Sequence, residues 1–128
     1  MRSRLWLVAP AMILYTADVG LTLAGQPQAY WAGDSAAAVE YNPLVYPLLV
    51  RSPWLFAGVA AVWLAVLVVV VANWRHTASR WLAVLVAVAH AFGGASWLAR
   101  SGPWGLAAAF VYLAVAVQAV TFCWRRSA

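Results

Sequence analysis

Two ionisable side chains interrupt otherwise apolar stretches of this 128-residue chain, Asp18 and His90. An acid and a base at one depth in a membrane could move a proton, hold a metal, or simply bond two helices together. Their cost in hydrocarbon makes them informative. Insertion scales put an Asp at a helix centre at roughly 2.5–3.5 kcal/mol, so such residues face a bundle interior or a water-filled cavity. Tyr15, Asp18, Thr22 and Gly25 recur at three- and four-residue spacing and therefore share one helix face. Ala83, Ala87, His90 and Gly94 form a second stripe, whose small residues let a neighbouring helix approach the imidazole. At about 1.5 Å per residue, Asp18 lies about 18 Å from Trp6, His90 about 14 Å from Trp81, and Tyr112 about 12 Å from Trp104. Asp18, Thr22, His90 and Tyr112 are thus expected to form a polar intramembrane cluster.

A second carboxylate and an amide, Glu40 and Asn42, stand just ahead of Pro43 in the segment before the second apolar run. Folded inward, that segment would add both groups to the imidazole. Asp18, Glu40 and His90, with Asn42 beside them, would suit a divalent metal. Three protein ligands and an open position are the usual arrangement for metal-assisted hydrolysis. The plainer alternatives are an interhelical hydrogen bond from Asp18 to His90 or Tyr112, a solvated Glu40, and an Asn42 that only caps a helix. Gln118 reads as an interhelical hydrogen-bonder, and His76, between Arg75 and Thr77, as a solvated loop residue. Haem is not favoured, because His76 falls outside the apolar runs and no second pair of axial ligands exists; a haem shared by His90 of two copies stays open.

The elements that must position these groups are apolar helices. With 66% apolar and 9% charged residues, the composition is far from that of a soluble domain. Four runs of about 20 residues, Leu5–Ala24, Pro53–Asn73, Trp81–Ala99 and Trp104–Cys123, match a hydrocarbon core of about 30 Å. The expected fold is a single all-α domain, residues 1–128, forming an integral membrane bundle of four helices. Eight of the nine Trp residues fall at or near the proposed ends, where headgroups hold indole rings; Trp63 alone is mid-span.

The net charge of +5 does not suggest nucleic acid, since the eight arginines stand in ones and twos with no basic stripe. Arg2, Arg4, Arg75, Arg80, Arg125 and Arg126 fall on one side of the bundle and Arg51 and Arg100 on the other, which places both termini in the cytoplasm. The exclusive use of Arg, with abundant Ala, Val, Gly and Trp, is expected of a GC-rich bacterial genome, hence of an inner membrane. The first run is read as a span and not a cleaved signal, being long and interrupted by Asp18. Cys123, the sole cysteine, excludes an internal disulfide and a structural zinc site.

The long first loop, residues 25–52, would face the periplasm. Asp34 or Ser35 should cap a short helix through Ala36–Glu40, and Asn42-Pro43 should break it and start another. Leu44–Val50, expected to be kinked at Pro47, should lie in the interface or re-enter the bundle.

Asp18-x-x-x-Thr22 with Gly25, followed by Glu40-Tyr41-Asn42-Pro43-Leu44 and Pro47-Leu48-Leu49, resembles a family of small bacterial membrane proteins of unknown function. Its pattern is an Asp-x3-Thr first helix and a Glu-x-Asn-Pro first loop. The resemblance covers roughly Ala17 to Leu55; here the spacer before Glu40 is longer, and a Lys found in the second span of many members is missing. It implies that Asp18, Thr22, Glu40, Asn42 and Pro43 belong to one recurring unit, and it brings no activity.

Three functions are compatible with this reading. The first is a structural or accessory subunit of a larger membrane complex, its partners being lipid, other membrane subunits or further copies of itself. The second is a metal-binding or hydrolase-like site of Asp18, Glu40, Asn42 and His90. The third is a small proton-coupled transporter using Asp18, since Ala17–Leu23 looks superficially like the first helix of small multidrug exporters.

Overall fold

The computed structural model describes residues 2–74 and 77–127, and every regular element among them is helical. Four long helices, α1 (Arg2–Ala24), α4 (Pro53–Asn73), α5 (Thr77–Ala99) and α6 (Gly102–Ser127), are accompanied by two short ones, α2 (Gln28–Trp31) and α3 (Tyr46–Arg51). The long helices contain the four predicted apolar runs; α4 coincides with its run, and α1, α5 and α6 extend theirs by a few residues. Their limits have local causes. Ser52 accepts hydrogen bonds from the backbone of Trp54 and Leu55 at 3.1 and 3.4 Å, and Pro53 follows at the first helical position of α4. Gly102, with φ of 78°, makes the tight reversal between α5 and α6.

Packing is organised around α5. Ser79, Ala83, Ala87, Ala91 and Ala95 are buried at four-residue intervals, a row of small side chains against which α1 and α6 pack closely. On α1 the buried positions Val8, Ala11, Tyr15 and Thr22 fall on the same face as Asp18, so the Asp face is the interior face, as its spacing predicts. Helix α4 packs chiefly on α1. The core at the terminal end of the bundle joins Val8, Ala11 and Leu14 to Leu67, Val71, Ala83, Ala87, Ala91 and Ala116.

The outer surface is apolar. Val62, Val69, Phe110 and Val117 are each 59–66% exposed, and similar residues surround them. A belt of that extent is untenable in water and suits lipid. Helices α4, α5 and α6 are long and apolar enough to cross a membrane, and α1 carries a shorter apolar stretch, Val8–Ala24. By length and composition these helices are candidate membrane spans. Arg75 and His76, expected to be solvated in the second turn, lie outside the described residues.

The first loop forms a cap. Asp34 Oδ1 accepts from Ala36 N at 3.1 Å, but the element it starts is only a 3-10 turn, Ser35–Ala37, and stops short of the expected Glu40. Asn42 Oδ1 accepts from Leu44 N at 2.9 Å, and Asn42 O accepts from Tyr46 N, so Pro43 opens a turn that leads directly into α3. Pro47 sits in the first turn of α3, where its missing N–H would be unpaired anyway; the expected kink is therefore absent. Tyr30, Ala38, Leu49 and Phe56 form a second apolar cluster over Val19 and Leu23, so the loop lies across the ends of α1 and α4 and does not run down between the helices.

Candidate functional site

Asp18 and His90 meet across the α1–α5 interface. Asp18 Oδ2 lies 2.7 Å from His90 Nδ1, and both side chains are partly buried, 16% and 28% exposed. With the Asp18 oxygen taken as the acceptor, the ring proton is assigned to Nδ1. Nε2 then bears the lone pair or the second proton, and no side chain or backbone group bonds it among the described residues. Tyr15 fixes the ring from the other side: its ring centroid is 4.4 Å from that of His90, and its hydroxyl donates to Ala60 O of α4 at 2.9 Å. The imidazole is therefore held by α1 through two residues one helical turn apart.

Gly93 makes the approach possible. A β-carbon there would fall 2.7 Å from Asp18 Cγ and closer still to Oδ2, far inside van der Waals contact. Gly25 does the same for Trp97, whose ring would overlap a β-carbon at that position.

Above the pair opens a cavity of about 330 Å³. Asp18, Thr22 and His90 line it from the long helices, and Glu40 and Asn42 from the loop. Thus four of the groups proposed for a joint site, Asp18, Glu40, Asn42 and His90, do share one space. Ser96 and Trp97 of α5 and Phe56 of α4 are also part of its wall. Glu40 is held over the cavity by its own turn, Oε1 accepting from Asn42 N at 2.8 Å. Arg100 binds the rim together, its guanidinium carbon 4.1 Å from the Trp97 ring centroid and 4.7 Å from that of Tyr41.

Other expectations are met differently. Among the described residues, no group of three or more His, Cys, Asp or Glu stands close enough to hold a metal ion. Asp18, Glu40 and His90 line one cavity without converging on one point. Tyr112 lies against Gly94 and makes no hydrogen bond to Asp18 or His90 among the described residues. Its hydroxyl is buried without a hydrogen-bond partner and would meet a β-carbon at Gly94 at 2.9 Å. Gln118 is exposed on α6 and makes no hydrogen bond among the described residues.

Sequence reasoning missed Gln26, which anchors the cap. Its side chain bonds both backbone groups of Val39, Oε1 accepting from N at 2.8 Å and Nε2 donating to O at 2.9 Å, with a further bond to Thr22 O. The available signal was an amide just after an apolar run. Gln26→Ala leaves these partly buried groups unpaired, at a cost of about 1–3 kcal/mol. The expected result is faster hydrogen exchange confined to residues 34–45, read by mass spectrometry in detergent.

No family model, curated protein or solved structure matches the chain. The site is therefore interpreted from its own geometry.

Proposed function

We propose that the chain is a four-span protein of a bacterial inner membrane whose loop-capped cavity opens to the periplasm. There it binds a small polar ligand, on which His90, oriented by Asp18, acts as general base. The observation that carries this reading is the 2.7 Å pair at the floor of a cavity that also collects Thr22, Glu40 and Asn42. A carboxylate on Nδ1 selects the tautomer in which Nε2 can take a proton and stabilises the imidazolium that results. Thr22, Asn42 and Ser96 supply neutral donors and acceptors for orienting a ligand. Asp18, Thr22, Glu40 and Asn42 of the Asp-x3-Thr and Glu-x-Asn-Pro pattern are then one unit because they share one cavity, and Pro43 opens the turn behind Asn42.

The distribution of arginines supports the orientation: Arg80, Arg125 and Arg126 lie at the terminal end, together with Arg2, Arg4 and Arg75 in sequence, against Arg51 and Arg100 at the loop end. An accessory role would rest on the exposed apolar belt, which lipid covers equally well. Transport through Asp18 would need a second opening, and the terminal end is packed with Val8, Leu14, Leu67 and Val71. A bound metal is not required by the acid–base reading.

Diethylpyrocarbonate, which acylates accessible unprotonated imidazole nitrogen, tests the base directly. In a His76→Asn background, His90 is expected to be modified in right-side-out vesicles, and a Ser96→Cys, Cys123→Ser variant to react there with an impermeant maleimide. Maleimide reaction of the Ser96→Cys, Cys123→Ser variant only from the opposite side would reverse the topology. A His90 inert to diethylpyrocarbonate would remove the general base.

A further inference from the structure

The outward face of α6 carries a pattern unrelated to the cavity. Ala107, Val111, Ala114, Gln118 and Thr121 are all exposed and follow alternating four- and three-residue steps, the repeat of a left-handed helix–helix seam. Two alanines and a valine permit close approach, and two polar residues lie in the same line. Gln118 stands six residues before Trp124, about 9 Å inside the level of that ring. Its primary amide has two donors and an acceptor, and none is bonded among the described residues.

We propose that α6 pairs with α6 of a second copy of this chain along this seam, with Gln118 hydrogen-bonded to Gln118 across a two-fold axis parallel to the membrane normal. The chemistry selects the occupant. An amide is self-complementary, donating through its nitrogen and accepting through its oxygen, so two equivalent amides satisfy each other. A second copy inserted in the same orientation brings its Gln118 to the same depth automatically. Lipid tails offer the amide nothing, and an unrelated helix would need its own polar group at that level. The two-fold axis turns identical surfaces toward each other, so Ala114 faces its counterpart one turn from the amides. Arg125, which continues the seam, falls beyond Trp124 in sequence, at the headgroup level where two guanidinium groups remain solvated. The cavity between α1 and α5 stays open to the outside of such a dimer.

The test uses the full-length chain at low density in lipid vesicles, with single-molecule photobleaching to count subunits. The wild type is expected to dimerise, and Gln118→Leu to associate about tenfold more weakly, the size of two interhelical hydrogen bonds at their strength in membranes. Gln118→Asn should retain most of the association. In a Cys123→Ser background, Ala114→Cys should form an intersubunit disulfide, and Ala108→Cys, exposed on another face of α6, should not. Gln118, Ala114 and Ala108 lie on the surface, so their substitutions are expected to leave unfolding of the monomer unchanged; the cysteine variants are compared with the Cys123→Ser background, because Cys123 is buried. A monomer at every density, a Gln118→Leu variant that dimerises as tightly as wild type, cross-linking through position 108, or a different protein found bound along α6 would each overturn the proposal.

Discussion

Gly93→Val is expected to drive Asp18 away from His90 and to destabilise the bundle by about 1–3 kcal/mol, the usual cost of forcing carbon into a packed interface. A β-carbon at this position falls 2.7 Å from Asp18 Cγ. The obstacle is not the free end of a long side chain. A carboxyl group two bonds from its backbone has little room to swing aside, and it is tethered to His90 besides. Either α1 and α5 separate, losing the small-residue contacts along Ala83, Ala87 and Ala91, or Asp18 rotates and leaves the imidazole. The first outcome appears as a lower midpoint of unfolding followed by circular dichroism in mixed micelles. The second appears as an altered rate of His90 acylation with the midpoint preserved. Gly93→Val indistinguishable from wild type in both measurements would mean that the two helices do not approach as described.

The second large effect concerns the cap. Leu49 is 0% exposed and lies at the centre of the cluster with Tyr30, Ala38 and Phe56, while its carbonyl accepts from the Tyr30 hydroxyl at 2.8 Å. Leu49→Ala should cost about 2–5 kcal/mol through lost burial and the cavity left behind. Because the cap packs mainly on the ends of α1 and α4, with Tyr41 of the loop reaching Arg100 just after α5, the loss is expected to remain local. Amide exchange should accelerate through residues 28–51, while α5 and α6 stay protected. Glu40 and Asn42 would then leave the cavity together, and the Ser96→Cys variant would react faster with maleimide. Uniform destabilisation of all helices would instead make the loop an integral part of the bundle core.

The helices were legible because lipid imposes two strict conditions, a length near 20 residues and a backbone satisfied within each segment. The inward direction of Asp18 was legible for a related reason: Tyr15, Asp18 and Thr22 share a face, and a carboxylate cannot face hydrocarbon cheaply. Depth along a helix could be counted, but rotation about it could not. Tyr112, counted to the depth of Asp18, lies against Gly94, while Gly93, one residue and about 100° away on the α5 cylinder, is the glycine that admits the carboxylate. Gln118 illustrates the same limit, as its spacing in the sequence does not say which face of α6 the other helices use. The loop was harder still. Its turns at Asp34 and Asn42 follow from local side-chain chemistry, but the bonds from Gln26 to Val39 span 13 residues and carry no periodic signal. Glu40 and Asn42 could be expected near the imidazole only on the condition that the loop folded back over the helices.

The pairing of Asp18 with His90 is the point on which the cavity, the base and its orientation all depend. Solid-state NMR on the protein in lipid can measure it as one dipolar coupling. His76→Asn leaves His90 as the sole histidine, and Asp34→Ser leaves Asp18 as the sole aspartate. With ¹⁵N in the histidine ring and ¹³C at the aspartate carboxyl carbon, a hydrogen-bonded pair predicts a separation of about 3.5 Å between Nδ1 and Cγ. A coupling of that size would establish the floor of the site in the membrane. A separation beyond about 6 Å, outside any direct hydrogen bond, would contradict the account.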